Sequence, residues 1–216
     1  MKMRMSLPQG EDPELNRSIP KRVGLLGGSF DPVHHGHRFI VDSFLKSQLF
    51  HEIWILPAPD PPHKQQKQLT SFHHRVKMLE LAFRQLQEIY INEIEKELPS
   101  PSYTLQTVTE LQLKHPDCHF FFCLGGDSLR DFTNWYRYEE ILDRVVLVVA
   151  ERKGVDLNGL PDEILHRTIQ VDHEPIETSS TSIRQIAGGD THRLSQRDLH
   201  KKVIDYIQQH HLYREE

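Results

Sequence analysis

Cysteine occurs only twice in the 216 residues, at Cys118 and Cys123. Two thiols on one apolar stretch exclude a disulfide scaffold and point to reduced thiols in a cytoplasmic compartment. Positive charge is in deficit: 26 Lys and Arg stand against 31 Asp and Glu, for a net charge of -5. No basic field therefore invites nucleic acid or an anionic membrane, and any polyanion bound here is expected to be small. No apolar run approaches the length of a membrane span. Residues 1–20 lack the apolar centre of a signal peptide; polar and proline-bearing, they read as a flexible extension, leaving 21–216 as one domain. Neither G-x-G-x-x-G nor G-x-x-x-x-G-K-[ST] occurs, so the common dinucleotide and P-loop fingerprints are both absent.

What is present centres on Gly24–His37, GLLGGSFDPVHHGH. Val23, Leu25 and Leu26 before it read as a buried strand, and Ile40, Val41, Phe44, Leu45 and Leu49 after it recur at helical spacing. The segment is thus a strand-to-helix turn. Gly27 and Gly28 permit close approach of a ligand, Asp31-Pro32 makes a turn, and His34, Gly36 and His37 fall at the first helical turn. Unpaired N–H groups and the helix dipole favour an anion there, so two imidazoles and backbone amides make a phosphate site. A nucleophile elbow fits poorly, because Asp31 stands where G-x-S-x-G needs its second glycine. A metal site lacks ligands, with no cysteine near and Asp31 the one close acid; purely structural histidines remain open.

The rest of the chain alternates strands and helices. Strands are expected at Glu52–Leu56, Glu88–Ile91, Cys118–Leu124, Val145–Ala150 and Thr168–Val171, with helices over Phe72–Gln85, from Ser102 as N-cap, and through Leu199, Val203, Tyr206 and Ile207. This predicts an α/β fold, a doubly wound, mostly parallel sheet with helices on both faces and ligands at the carboxyl ends of the strands. Pro57–Thr70 is a long loop carrying His63 and Lys64 beside a diproline; it reads as functional or as a solvated linker. Gly125-Gly126-Asp127-Ser128 ends the most apolar strand and suits a ribose, though Asp127 as a helix N-cap explains it equally well. Thr178–Arg184, TSSTSIR, opens a second helix; Arg184 in its first turn is unfavourable unless an anion binds there.

GGSFDPVHHGH and SSTSIR together resemble the nucleotidylyltransferase superfamily, whose signatures are H-x-G-H and S-S/T-x-I-R elements. Class I aminoacyl-tRNA synthetases share an H-I-G-H-like element but pair it with a lysine-rich loop on a far longer chain. LPAPDPPHK, HHRVKMLELA, PSYTLQTVTEL and LGGDSLRDFTNWYRYEEIL extend the resemblance to the nicotinate-nucleotide adenylyltransferase family, from Val23 to Tyr213. The resemblance implies a Rossmann-like sheet, with ATP, Mg²⁺ and nicotinate mononucleotide giving nicotinate adenine dinucleotide and pyrophosphate. It implies that His34, His37 and Arg184 act on the phosphates, with Ser180 and Thr181 holding the leaving pyrophosphate. Gly27, Gly28, Ser29, Phe30, Gly36, Gly125 and Asp127 would line the ATP site. His63 and Lys64 would take the mononucleotide phosphate, and Tyr103, Thr104 and Trp135 its pyridine ring. Thr178 stands where the family commonly has isoleucine. Alternatives are another acceptor, nicotinamide mononucleotide or phosphopantetheine, a non-catalytic nucleotide-binding module, and a zinc-binding domain; a homo-oligomer is left open.

Overall fold

The computed structural model describes residues 19–62, 69–151 and 159–214. Six strands, β1 (Lys21–Gly28), β2 (Glu52–Pro57), β3 (Ile89–Ile91), β4 (Cys118–Gly125), β5 (Val146–Glu151) and β6 (Thr168–Asp172), form one sheet in the order β3-β2-β1-β4-β5-β6. Every neighbouring pair is parallel, where a mostly parallel sheet was expected. A parallel neighbour requires a crossover, and α1 (His35–Lys46), α2 (Phe72–Phe83), α3 (Thr104–Lys114), α4 (Gly126–Arg130), α5 (Tyr138–Leu142) and α6 (Asp162–His166) supply it, while α7 (Ser180–Gly189) and α8 (Lys201–Gln209) follow β6.

The side-chain alternation of the strands divides the core into two. Leu26, Ile53, Ile55, Cys123 and Val148 face α1, α2, α7 and α8, which add Val41, Phe44, Leu79, Ile183 and Val203. Leu25, Leu56, Phe122, Leu124 and Val149 face the opposite way, against Leu105, Val108 and Leu111 of α3 and Ile141 of α5. Burial on both faces explains why these strands read as continuous apolar runs rather than as clean alternation. Cys123 is fully buried, its thiol pushed up by desolvation, and Cys118 is half-buried; both are unpaired.

Chain order reverses between β1 and β4, and the crevice outside their carboxyl ends is where a doubly wound sheet takes its ligand. Gly27 and Gly28 end β1 and Leu124 and Gly125 end β4, so the two glycine-bearing turns singled out in the sequence face each other there. Several boundaries move. Strand β2 continues through Pro57, which pairs with Gly28. Tyr103, not Ser102, is the N-cap of α3, and Gly125, not Asp127, that of α4. Leu199 is buried but precedes α8. Residues 1–18, most of the expected extension, and His63 and Lys64 lie outside the described residues. Among the described residues no helix is long and apolar enough to cross a membrane.

Candidate active site

The turn after β1 is held in an unusual shape by its own side chains. Phe30 sits at φ 47°, in the left-handed region, and its buried ring lies so close over Gly28 that a Cβ there would approach it to 2.9 Å. A non-glycine residue at positive φ stores strain that its surroundings must over-determine. Those surroundings are a buried polar hub. Arg75 of α2, 1 % exposed, donates to the carbonyls of Ser29 (2.7 Å), Ala58 (2.8 Å), Thr70 (3.0 Å) and Pro59 (3.3 Å). Buried Asp31 accepts from the Tyr213 hydroxyl (2.8 Å) and the Thr70 N–H (3.2 Å). One guanidinium thus ties the β1 turn to the loop after β2, and the end of the chain closes over both.

At the start of α1, His34 is the N-cap and its N–H donates to Nδ1 of His37 (3.2 Å). With Nδ1 accepting, the His37 ring presents its N–H at Nε2. The centroids of the two rings lie 3.8 Å apart with their planes tilted by 36°, and Phe30 meets His37 edge-on at 5.0 Å. Burial, with His35 adding to it, pushes His34 down to about 4, so this ring is neutral at physiological pH. A side chain at position 36 would strike the His34 ring at 2.9 Å, which is why the motif needs glycine between its histidines. Of the first amides of α1, the His35 N–H is already bonded to the Asp198 carbonyl (2.8 Å), leaving a smaller anion-facing set than expected.

The second signature docks on the first. Ser179 caps α7 by accepting from the Ser182 N–H (3.1 Å), while the Ser180 hydroxyl donates to the Pro32 carbonyl (3.0 Å). Arg184 falls in the second turn of α7, not the first; it donates to the Asp31 carbonyl (2.7 Å) and to the Thr181 hydroxyl (3.2 Å). Its cation is therefore carried back over the β1 turn. The sequence reading of Arg184 as either facing water or awaiting an anion missed this direct bond between the two motifs.

Two cavities open on either side of the switch point. One, of about 610 Å³, is bounded by Phe30, His37, Gly125, Asp127, Glu151 and His173. There Arg130 bridges Asp127 (3.0 Å) and Glu151 (3.0 Å), and the Asp127 carboxylate is otherwise fully exposed. The other, of about 510 Å³, takes in Glu95, Tyr103, Thr104, Trp135 and Tyr136, with Ser29 at its mouth. Gly27 and Ser128 line both. The aromatic pair read as either core or pocket does both: Trp135 packs edge-on against Phe122 (5.7 Å), and Tyr136 stacks on Tyr103 (4.5 Å), while each faces the second cavity. Helix α3 begins at this cavity with Thr104, whose N–H its own helix cannot pair. Missed by the sequence reading were Glu95, Tyr213 and Glu151, single residues outside any motif, and Arg75, which lies within HHRVKMLELA but was assigned no role.

The model of cytidylyltransferase-like proteins matches residues 25–186. A nicotinate-nucleotide adenylyltransferase of Bacillus subtilis is 33% identical over 87% of this chain and 90% of its own. A probable nicotinate-nucleotide adenylyltransferase of Bacillus pumilus is 33% identical over 89% of this chain and 98% of its own. This chain belongs to the nicotinate-nucleotide adenylyltransferase family. The fold agrees: the solved nicotinic acid mononucleotide adenylyltransferase of Plasmodium falciparum, complexed with NaAD, superposes with a TM-score of 0.71 at 24% identity. That alignment covers 89% of this chain and 97% of the other. Family membership and the Rossmann-like sheet expected from the two signatures are thus both borne out.

Proposed function

We propose that this chain transfers the adenylyl group of ATP to nicotinate mononucleotide, forming nicotinate adenine dinucleotide and pyrophosphate for NAD biosynthesis in the cytoplasm. The observation that carries the reading is the meeting of the two signatures: Arg184 and Ser180 of α7 bonded to Asp31 and Pro32 of the β1 turn, beside two cavities that share Gly27 and Ser128. ATP takes the cavity of His37, Gly125 and Asp127, its ribose hydroxyls on the Asp127 carboxylate, and its triphosphate runs toward α7. Nicotinate mononucleotide takes the other, its ring among Tyr103, Thr104 and Trp135, and its phosphate at the shared wall.

One phosphate oxygen of the mononucleotide attacks the α-phosphorus of ATP as the bond to the β-phosphate oxygen breaks, and pyrophosphate leaves with that electron pair. The attacking group is already an anion, so no general base is required; the protein aligns two polyanions and offsets charge on the leaving group. His37 donates Nε2–H to an α-phosphate oxygen. His34, kept neutral, adds no charge of its own and holds His37 by ring contact and by its backbone N–H. Arg184, Thr181 and the opening amides of α7 receive the β- and γ-phosphates. Among the described residues no three or more His, Cys, Asp or Glu side chains gather to hold a metal ion. Mg²⁺, bound together with ATP, would supply charge neutralisation on the triphosphate.

The test offers the purified protein ATP and Mg²⁺ with nicotinate mononucleotide, nicotinamide mononucleotide or phosphopantetheine, and follows pyrophosphate and the coupled product. Turnover with the nicotinate substrate, well above the other two, is expected. Turnover only with phosphopantetheine overturns the acceptor, and ATP binding without any turnover overturns the reaction.

A further inference from the structure

The acceptor cavity contains a buried acid that the mechanism above does not use. Glu95, in the short turn Ile94–Lys96 before α3, is 8 % exposed and lines the same wall as Ser102, Tyr103, Thr104 and Trp135. Its Oε1 accepts from the Thr107 hydroxyl (3.0 Å), while its Oε2 is buried and makes no hydrogen bond. A buried polar atom left unpaired is costly, and Glu95 lines the cavity, so a turn of its side chain would bring Oε2, closed to solvent here, to what the cavity binds. We propose that Glu95 determines acceptor specificity through Oε2, donating a proton to the ring carboxylate of nicotinate mononucleotide when neutral and accepting from the amide N–H of nicotinamide mononucleotide when ionised. Nicotinate carries only acceptors at that position and nicotinamide carries a donor, so one titrating oxygen discriminates between them in opposite directions.

The environment keeps that oxygen titrating near neutrality. Burial pushes the Glu95 carboxyl up to about 7, with the Thr107 and Ser102 hydroxyls drawing it back. The charges around it are engaged elsewhere. On its own turn Glu93, Lys96 and Glu97 are exposed, Lys96 lying over the Phe72 ring. On α3, Glu110 and Glu97 pair with Lys114. On the loop after β2, Asp60 accepts from the Ser100 hydroxyl, and beyond it Arg75 is bonded to backbone carbonyls. Among the described residues, Tyr103 and Tyr136 are the other titratable groups lining its cavity. The proposal rests on reading this cavity as the pyridine site.

The experiment measures kcat/KM for both mononucleotides between pH 5.5 and 8.5, because that ratio reports ionisation in the free enzyme. Both substrates carry the same phosphate, so its titration cancels in their ratio. The preference for the nicotinate substrate is expected to fall about ten-fold or more from pH 6 to pH 8, and to become flat in Glu95→Gln, which keeps a donor at every pH. Thr107→Val, which removes the donor holding the carboxylate, is expected to move the midpoint to higher pH and serves if Glu95→Gln does not fold. A wild-type ratio independent of pH, or a pH-dependence that survives in Glu95→Gln, overturns the role of Glu95 while turnover itself leaves the reaction standing. Absence of turnover with either mononucleotide removes both.

Discussion

The two cavities that meet at Gly27 and Ser128 solve opposite problems. The cavity proposed for ATP is bordered by ionisable and charged groups, His37, Asp127, Arg130 and Glu151, and Arg130 bridges the two carboxylates. The cavity proposed for the acceptor is lined by Tyr103, Trp135 and Tyr136 and, among the described residues, holds one buried carboxyl with an unbonded oxygen. A triphosphate is recognised by many donors at once, so no single one needs a special protonation state. A ring substituent is recognised by one or two atoms, and the state of each then decides the outcome. Selectivity should therefore be fragile on the acceptor side and chemistry on the phosphate side.

Substitutions on each side can break that contrast. The largest effect is expected from His37→Ala: loss of a donor aimed at the reacting phosphate lowers kcat by about 10²–10³. The loss should be equal for both mononucleotides in steady-state assays; unequal losses would place His37 in acceptor recognition instead. Next comes Glu95→Gln, read through stability. In the native state Glu95 keeps its proton up to about pH 7, whereas the unfolded chain releases it near 4.5. Between these values the folded state holds more protons, so stability falls as pH rises, by on the order of 3 kcal/mol in all. His34 acts in the opposite sense: native near 4 and unfolded near 6.5, it raises stability as pH rises through that window. Urea unfolding of the wild type should thus vary little from pH 5 to 6.5, while Glu95→Gln exposes the rising slope of His34. An identical profile in both proteins would remove Glu95 from the account.

A smaller effect is expected from Trp135→Ala, which removes a ring lining the cavity proposed for the pyridine and should raise the mononucleotide KM roughly ten-fold with little change for ATP. Equal changes in both constants would merge the two cavities. Smallest is Asp127→Asn. Its carboxylate is exposed and already paired with Arg130, so loss of the ribose contact should raise the ATP KM only about five-fold. An effect on the mononucleotide KM alone would move the ribose of ATP elsewhere.

The same contrast governs what could be read from the chain. The phosphate side is local: a glycine-bearing strand end followed at once by a helix start places His34 and His37 by sequence spacing alone, and TSSTSIR does the same for α7. The sheet was legible because strands buried on both faces are apolar runs separated by turn residues. Glu95 was not, since it sits in INEIEKE, where an acid among charges reads as solvated; in the fold it is buried and bonded to Thr107 of α3. Arg75 looks like an ordinary charge on an amphipathic helix until the loops it bonds are in place. Asp31 read as a turn former, and its burial depends on Tyr213 at the far end of the chain. The caps of α3 and α4 shifted because backbone geometry, not the nearest hydroxyl or carboxylate, decided where each helix begins.

The proposed reaction requires both substrates to lie together across Gly27 and Ser128 and to react in a single in-line step. The stereochemical course at the α-phosphorus tests this directly, using ATP made chiral by sulfur at that position with nicotinate mononucleotide as acceptor. Inversion of configuration in the dinucleotide is the expected result. Retention would require two displacements and a covalent adenylyl-enzyme, and would contradict a site in which His34, His37 and Arg184 only position and stabilise.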